Sequence, residues 1–295
     1  MAIACGVASA GEPPVVVAKV KTGIGPCASA AAGGFLYVTN YGSSTIARVD
    51  PRTNRRVRTL RVGFEPCGLV AGGGALWVDG YGTNRIEKVD PRRLRVVKRI
   101  RVGRQPFDVA YGFGSVWSSN NSSGTVSRID PRRGKVVRTI RTGGAPAGLR
   151  VAAGSVWVGS STGDAIFRID PATNAVTRVR IGTGNSPWLE ATDDAVWVAN
   201  RADGTVTRLD PRTNRVVATI RVGTNPVDGV VGPHGLVWIP NQGDNTISRI
   251  DPATNRVVDA VRVGKGPFVV RQAFGDMWAS SFSGDDVWRV HSPRS

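Results

Sequence analysis

Asp-Pro recurs at residues 50, 90, 130, 170, 210 and 251, at intervals of 40 residues with one of 41. Aromatic residues keep the same interval at Tyr37, Trp77, Trp117, Trp157, Trp197, Trp238 and Trp278. A proline opens each unit at Pro26, Pro66, Pro106, Pro146, Pro187, Pro226 and Pro267. A period of about 40–45 residues with strand-like content is that of a propeller blade, a unit that cannot bury its faces alone and therefore stacks into a ring. In the second copy "CGLVAG", "ALWVD", "RIEKVD" and "VVKRIRV" read as four successive strands, A to D, separated by turn residues. No segment shows helical periodicity with caps.

The seventh unit runs from Pro267 to about His291 and stops before a strand D, while "VVVAKVKTG" at residues 15–23 matches the strand D pattern. The N-terminal strand is therefore expected to complete the last blade, which closes the ring and removes its open edges. The expected fold is all-β, a seven-bladed propeller of four-stranded blades, with residues 15–295 as one domain. Residues 1–14 stand apart. Their short apolar run and Ala8-Ser9-Ala10 fit either the remnant of a signal peptide or a disordered tail, and both readings stay open. Cys5 lies too near the start to direct export as a lipoprotein. No apolar run approaches the length of a membrane span.

Tyr37-Val38-Thr39-Asn40, and copies such as Trp197-Val198-Ala199-Asn200 followed by "GTVTRLDPRTNRVVATIRVG", resemble the YVTN-type β-propeller repeats over residues 15–291. That resemblance implies a fold and no activity. The architecture is also similar to that of streptogramin lyases. Such an activity would imply histidines just after the opening prolines, with acidic partners and Mg²⁺. Those positions hold Cys27, Cys67, Phe107, Ala147, Trp188, Val227 and Phe268, so the implied general base is missing.

With 39 basic and 22 acidic residues the chain carries +17, a balance that favours polyanionic partners. Most of this charge follows the repeat. Lys21, Arg61, Arg101, Arg141, Arg180, Arg221 and Arg262 occupy one position on strand D, alternating with apolar residues. They read as a solvated rim that blunts edge pairing, with polyanion binding as the competing reading. The Asp-Pro aspartates read as caps of the following turn, and the strand B tryptophans as filling between blades. Two distant histidines, His234 and His291, support neither a metal site nor a Ser-His-Asp triad.

Function is expected where the copies differ. Two and four residues after the opening proline, with blade five shifted by one, strand A carries Asp108, Arg150, Trp188, Glu190, Asp228 and Arg271. These should converge on the central channel, with Asp108, Trp188 and Asp228 towards its top mouth. They form either a ligand site or a set of channel salt bridges, Arg150 with Glu190 being the evident neighbours. Cys27 and Cys67 follow the opening proline in adjacent blades and are candidates for a disulfide if the chain is exported.

Two functions remain in view. The first is a non-enzymatic, exported binding or scaffold module acting through its top face and channel mouth, monomeric and without a cofactor. Its partner would be a protein or an anionic cell-envelope polymer, nucleic acid being disfavoured. The second is a metal-dependent lyase or hydrolase with Asp108, Glu190 and Asp228 around Ca²⁺ or Mg²⁺ at the channel mouth.

Overall fold

The computed structural model describes residues 13–182, 185 and 187–293. Cys5 and Ala8-Ser9-Ala10, read above as part of a signal-peptide remnant or a tail, lie outside them. Seven four-stranded antiparallel sheets form a propeller. In the last blade Val15–Lys21 pairs with Asp286–His291, Val20 opposite Val287 and Lys21 opposite Asp286, so the N-terminal strand closes the ring as its strand D pattern requires. Two details differ from the sequence reading. Strand A of blade two begins at Leu69 rather than Cys67, because the Cys67 and Gly68 amides donate to the Asp79 carboxylate (2.7 and 2.9 Å) instead of to a neighbouring strand. The B–C turns also contain single 3₁₀ turns at Tyr81–Thr83 and Asn121–Ser123, and a third, Pro233–Gly235, carries His234.

Each blade is packed around its strand B aromatic. Tyr37, Trp77, Trp117, Trp157, Trp197, Trp238 and Trp278 are all buried. The strand A residues between the channel-facing positions, Leu69, Val109, Leu149, Leu189 and Val270, are buried in the same clusters. On strand D the rim cations are exposed while Ile100, Ile140, Val179, Ile220 and Val261 turn inward, the two-residue alternation of a half-buried strand. The Asp-Pro carboxylates cap their turns: Asp50, Asp90, Asp130, Asp170, Asp210 and Asp251 each accept the amide two residues on.

A second repeat feature binds blade to blade. In blades two to six, two residues before the Asp-Pro, a strand C cation lies over the blade's own tryptophan, as Arg128 does over Trp117 (4.8 Å) and Arg168 over Trp157 (5.1 Å). The same guanidinium then donates into the next blade's Asp-Pro turn. Arg128 reaches the Pro171 carbonyl (2.7 Å) and Asn174 Oδ1 (3.1 Å), and Arg168 reaches Pro211 (2.7 Å) and Asn214 (3.1 Å). Arg289 does so from blade seven to Pro51 (2.6 Å) and Asn54 (2.9 Å), so the ring's seam is tied by side chains as well as by the N-terminal strand. Blade seven has no Asp-Pro turn, and Arg249 of blade six turns to Asp259 on its own strand D instead.

Candidate functional site

Strand A positions the channel residues through its pairing with strand B. Asp108 stands opposite Ser119, while Arg150, Glu190 and Arg271 stand opposite Trp157, Trp197 and Trp278. In several blades a register shift follows the opening proline, as between Pro106 and Asp108. Blade five has one residue fewer there, which brings Trp188 to the level of Asp108, opposite Ala199. The one-residue shift assumed for this blade gives the observed register.

The charged residues meet in one network. Arg150 Nε donates to Glu190 Oε2 (2.9 Å), Nη1 to Asp108 Oδ2 (3.4 Å) and Nη2 to Asp228 Oδ1. Arg271 Nη2 holds the other Asp228 oxygen, and its Nη1 donates to the Gly229 and Val270 carbonyls. Arg150 thus crosses from blade four to blades three, five and six and fills the channel at this level. Gly148 lets the neighbouring strand come close: its amide donates to the Pro187 carbonyl (2.7 Å), and a Cβ there would lie 2.8 Å from that oxygen.

Burial and charge pull these carboxyls apart. Burial raises the Asp108 pKa to about 6, opposed by Arg150 and reinforced by Asp228, although Asp108 also accepts the Leu149 amide (2.8 Å). Burial acts upward on Asp228 too, but Arg150 and Arg271 outweigh it and hold this carboxyl below its ordinary value. Asp79, buried beside Asp108, is raised well above its ordinary value by desolvation in spite of the two amides it accepts. For Arg150 desolvation is outweighed by Asp228, Glu190 and Asp108, which fix it as a cation. A metal at this level would have to displace guanidinium from all three carboxylates named as its ligands.

Trp188 is part of a different structure. Its ring lies 4.9 Å from Phe107 and 5.1 Å from Phe268, centroid to centroid. These residues belong to blades three, five and seven, which are not neighbours, so the rings meet across the channel axis and cover its top. The row continues from Phe268 to Phe282 (5.4 Å) and Tyr41 (6.0 Å), and from Phe107 to Tyr81 (6.4 Å). Tyr41, Tyr81 and Phe282 begin the B–C turns, whose amides bond to the D–A turns at Gly25, Glu65 and Gly266. Burial and the nearby Glu65 push the Tyr41 phenol up to about 12. Ile24 (61% exposed) and Phe64 (60% exposed) stand on those D–A turns as the most solvent-exposed large apolar residues among the described ones. Beside Tyr81 a cavity of about 640 Å³ is lined by Glu65, Arg104, Gln105 and Ser122.

Sequence reasoning found the channel charges and Trp188 but missed the aromatic row. Phe107 and Phe268 were noted only as positions lacking histidine. The available clue was the coincidence of these with aromatics opening three B–C turns. Cys27, on the inner strand of blade one, and Cys67, just before that of blade two, lie side by side with Cα atoms 5.1 Å apart, within the span a disulfide bridges. His291 Nδ1 lies 2.6 Å from an Asp276 carboxylate oxygen, and His234 contacts the Pro293 carbonyl (2.9 Å), neither being part of the channel network.

A repeat family of unknown function (DUF6923) matches residues 67–192. No curated protein matches the chain in sequence. Among solved structures, virginiamycin B lyase from Staphylococcus aureus superimposes with a TM-score of 0.82 at 16% identity, over 94% of this chain and 99% of that one. A streptogramin B lyase gives 0.80 at 16% identity over 92% and 94%. The WD40 β-propeller domain of Doa1 gives 0.79 at 13% identity over 95% and 97%. At these identities the likeness is one of fold, and a lyase and a WD40 domain share it equally well.

Proposed function

We propose that the chain is a non-enzymatic binding module of the YVTN-repeat type that receives its partner on the top face. The observation that carries this reading is the aromatic row from Tyr41 to Tyr81, which covers the channel and is flanked by exposed Ile24 and Phe64. Flat rings and exposed apolar side chains favour a partner that offers apolar or ring faces, and aromatic residues dominate recognition energetics. The charge of +17 steers an anionic partner towards the disc, which suits an anionic cell-envelope polymer or an acidic protein surface. Asp108, Glu190 and Asp228 then serve to brace the channel under the aromatic layer, and no cofactor is required. Export and a Cys27–Cys67 bond belong to the same reading, since the bond would persist in an oxidising compartment.

The test is retention on isolated anionic cell-envelope polymer. Exchanging Ile24 and Phe64 for serine leaves net charge unchanged and should lower retention about tenfold if the top face is the contact. Equal retention, lost only with added salt, would transfer binding to the basic rim. A parallel melt after EDTA, with and without Ca²⁺ or Mg²⁺, examines the enzymatic alternative. A raised midpoint that vanishes in Asp108→Ala/Asp228→Ala would overturn the non-enzymatic reading.

A further inference from the structure

Blade one departs from its siblings around Arg48, the strand C cation that should tie it to blade two. In blades three and four this arginine has three kinds of acceptor. Its Nε donates to the first residue of strand B, Ser115 (2.9 Å) or Ser155 (2.8 Å), and its Nη1 donates to the next blade's proline carbonyl and asparagine. Around Arg48 all three are gone. Phe35 replaces the serine, and the Pro91 carbonyl accepts from the Tyr37 hydroxyl instead (2.8 Å). Leu94 stands where Asn174 and Asn214 stand in later turns, at the same positive φ. The Arg48 guanidinium lies over the Phe35 ring, its Cζ 3.6 Å from the centroid, and its Nε is buried without a hydrogen-bond partner among the described residues.

The Nε is closed to solvent, so an acceptor from outside the chain would meet this guanidinium through its Nη groups, on the side that borders open space. Between blades one and two, on the face opposite the aromatic row, a cavity of about 610 Å³ is bordered by Phe35, Tyr37, Arg48, Ala71, Pro91 and Arg92. Tyr37 in place of the usual tryptophan, together with glycine and alanine along its wall, leaves this volume open. It falls within the ~300–1,000 Å³ of small-molecule sites. Its described lining holds two guanidinium groups, no carboxylate, and an otherwise apolar wall.

We propose that this cavity binds a small organic carboxylate with an apolar body. The carboxylate would take the Nη1/Nη2 edge of the Arg48 guanidinium in a planar, charge-assisted pair, with exposed Arg92 beside it. The apolar body, a single ring or a short chain, would lie along Phe35 and Ala71. The site is independent of the top face and stands whether or not that face binds a partner.

The probe is benzoate, with benzyl alcohol as its neutral counterpart and inorganic phosphate as an anion without an apolar body. Titration is followed by ligand-observed NMR and by the Arg48 Nε–H resonance. Benzoate should bind at millimolar concentration or below and shift that resonance, with both controls at least ~10-fold weaker. Arg48→Met should abolish binding. Phe35→Ser removes the ring along which the apolar body would lie, so it should weaken benzoate about tenfold, while Arg48→Met, which keeps that ring in the core of blade one, should leave the melting midpoint nearly unchanged. Benzyl alcohol binding as well as benzoate, affinity unaltered in both variants, or no binding of benzoate, phenylacetate or hexanoate at ~20 mM would each overturn the proposal.

Discussion

Arg150 and Arg48 are the same side chain in opposite situations. Arg150, at the channel, has Asp108, Glu190 and Asp228 around one guanidinium. Arg48, at the seam of blades one and two, has an aromatic ring beneath it and a buried Nε with no acceptor among the described residues. The difference shows how a repeat protein divides its charges. Where blades carry opposite signs at matching heights, the charges consume one another and become bracing. Where one blade loses the acceptors that its siblings retain, a charge is left available for something outside the chain. Charged residues converging on a channel therefore point less strongly to a ligand than one cation deprived of its repeat partners.

The sharpest way to break the comparison is to remove each guanidinium. Arg150→Met leaves three carboxylates buried without their common cation, a loss of the kind that costs roughly 3–5 kcal/mol. Chemical unfolding at neutral pH should show that fall, and it should shrink in acid as the carboxyls protonate. A change below about 1 kcal/mol would mean the network contributes little and that Arg150 is free for a ligand.

A smaller effect, on the order of 2 kcal/mol, is expected from Asp108 alone as pH changes. Its folded pKa, about 6, lies above the ordinary 3.8 of an exposed aspartate. The folded chain therefore holds this proton more tightly, so the contribution is fully present below the ordinary value and is lost as pH rises through about 6. Asp228 acts in the opposite sense: its contribution is present above the ordinary value and lost as pH falls through its lowered folded pKa. Asp108→Asn should flatten the decline in stability between about pH 4 and pH 7, measured by urea unfolding at several pH values. An unchanged slope would assign the decline to Asp79, which is shifted in the same direction.

Much of this molecule can be read from one dimension because the interval of 40 residues lays equivalent positions side by side. Blade number, ring closure through Val15–Lys21, the solvated rim and the Asp-Pro caps all follow from comparing copies. The strand C latch was equally legible, since Arg48, Lys88, Arg128, Arg168, Arg208 and Arg249 precede the six Asp-Pro turns at the same distance and Arg289 holds the same place before His291. What alignment could not supply is contact between blades that are not neighbours. Arg150 meets Asp228 two blades away, and Phe107, Trp188 and Phe268 meet across the axis. Those contacts depend on the ring's radius and on side-chain length, neither of which a repeat pattern encodes. The Arg48 cavity needed both kinds of information: the copies show that Phe35, Tyr37 and Leu94 are exceptions, and only their placement shows that the three exceptions surround one guanidinium.

The smallest expected effects compare the latch with its exception. Arg168→Met removes donors to Ser155 within blade four and to Pro211 and Asn214 of blade five, bonds at 2.7–3.1 Å. Hydrogen bonds to a charged group, offset by the solvation that the acceptors regain, suggest a loss of about 1–2 kcal/mol. Arg48→Met removes no hydrogen bond, ends the burial of an unsatisfied Nε and leaves an apolar chain lying on Phe35. Its effect on stability should stay within about 0.5 kcal/mol and can be favourable in sign. Thermal melts of the two variants side by side measure the contrast without reference to any ligand. Equal losses would show that Arg48 ties blade one to blade two as its siblings tie theirs, and the contrast between a spent and an unspent cation would be gone.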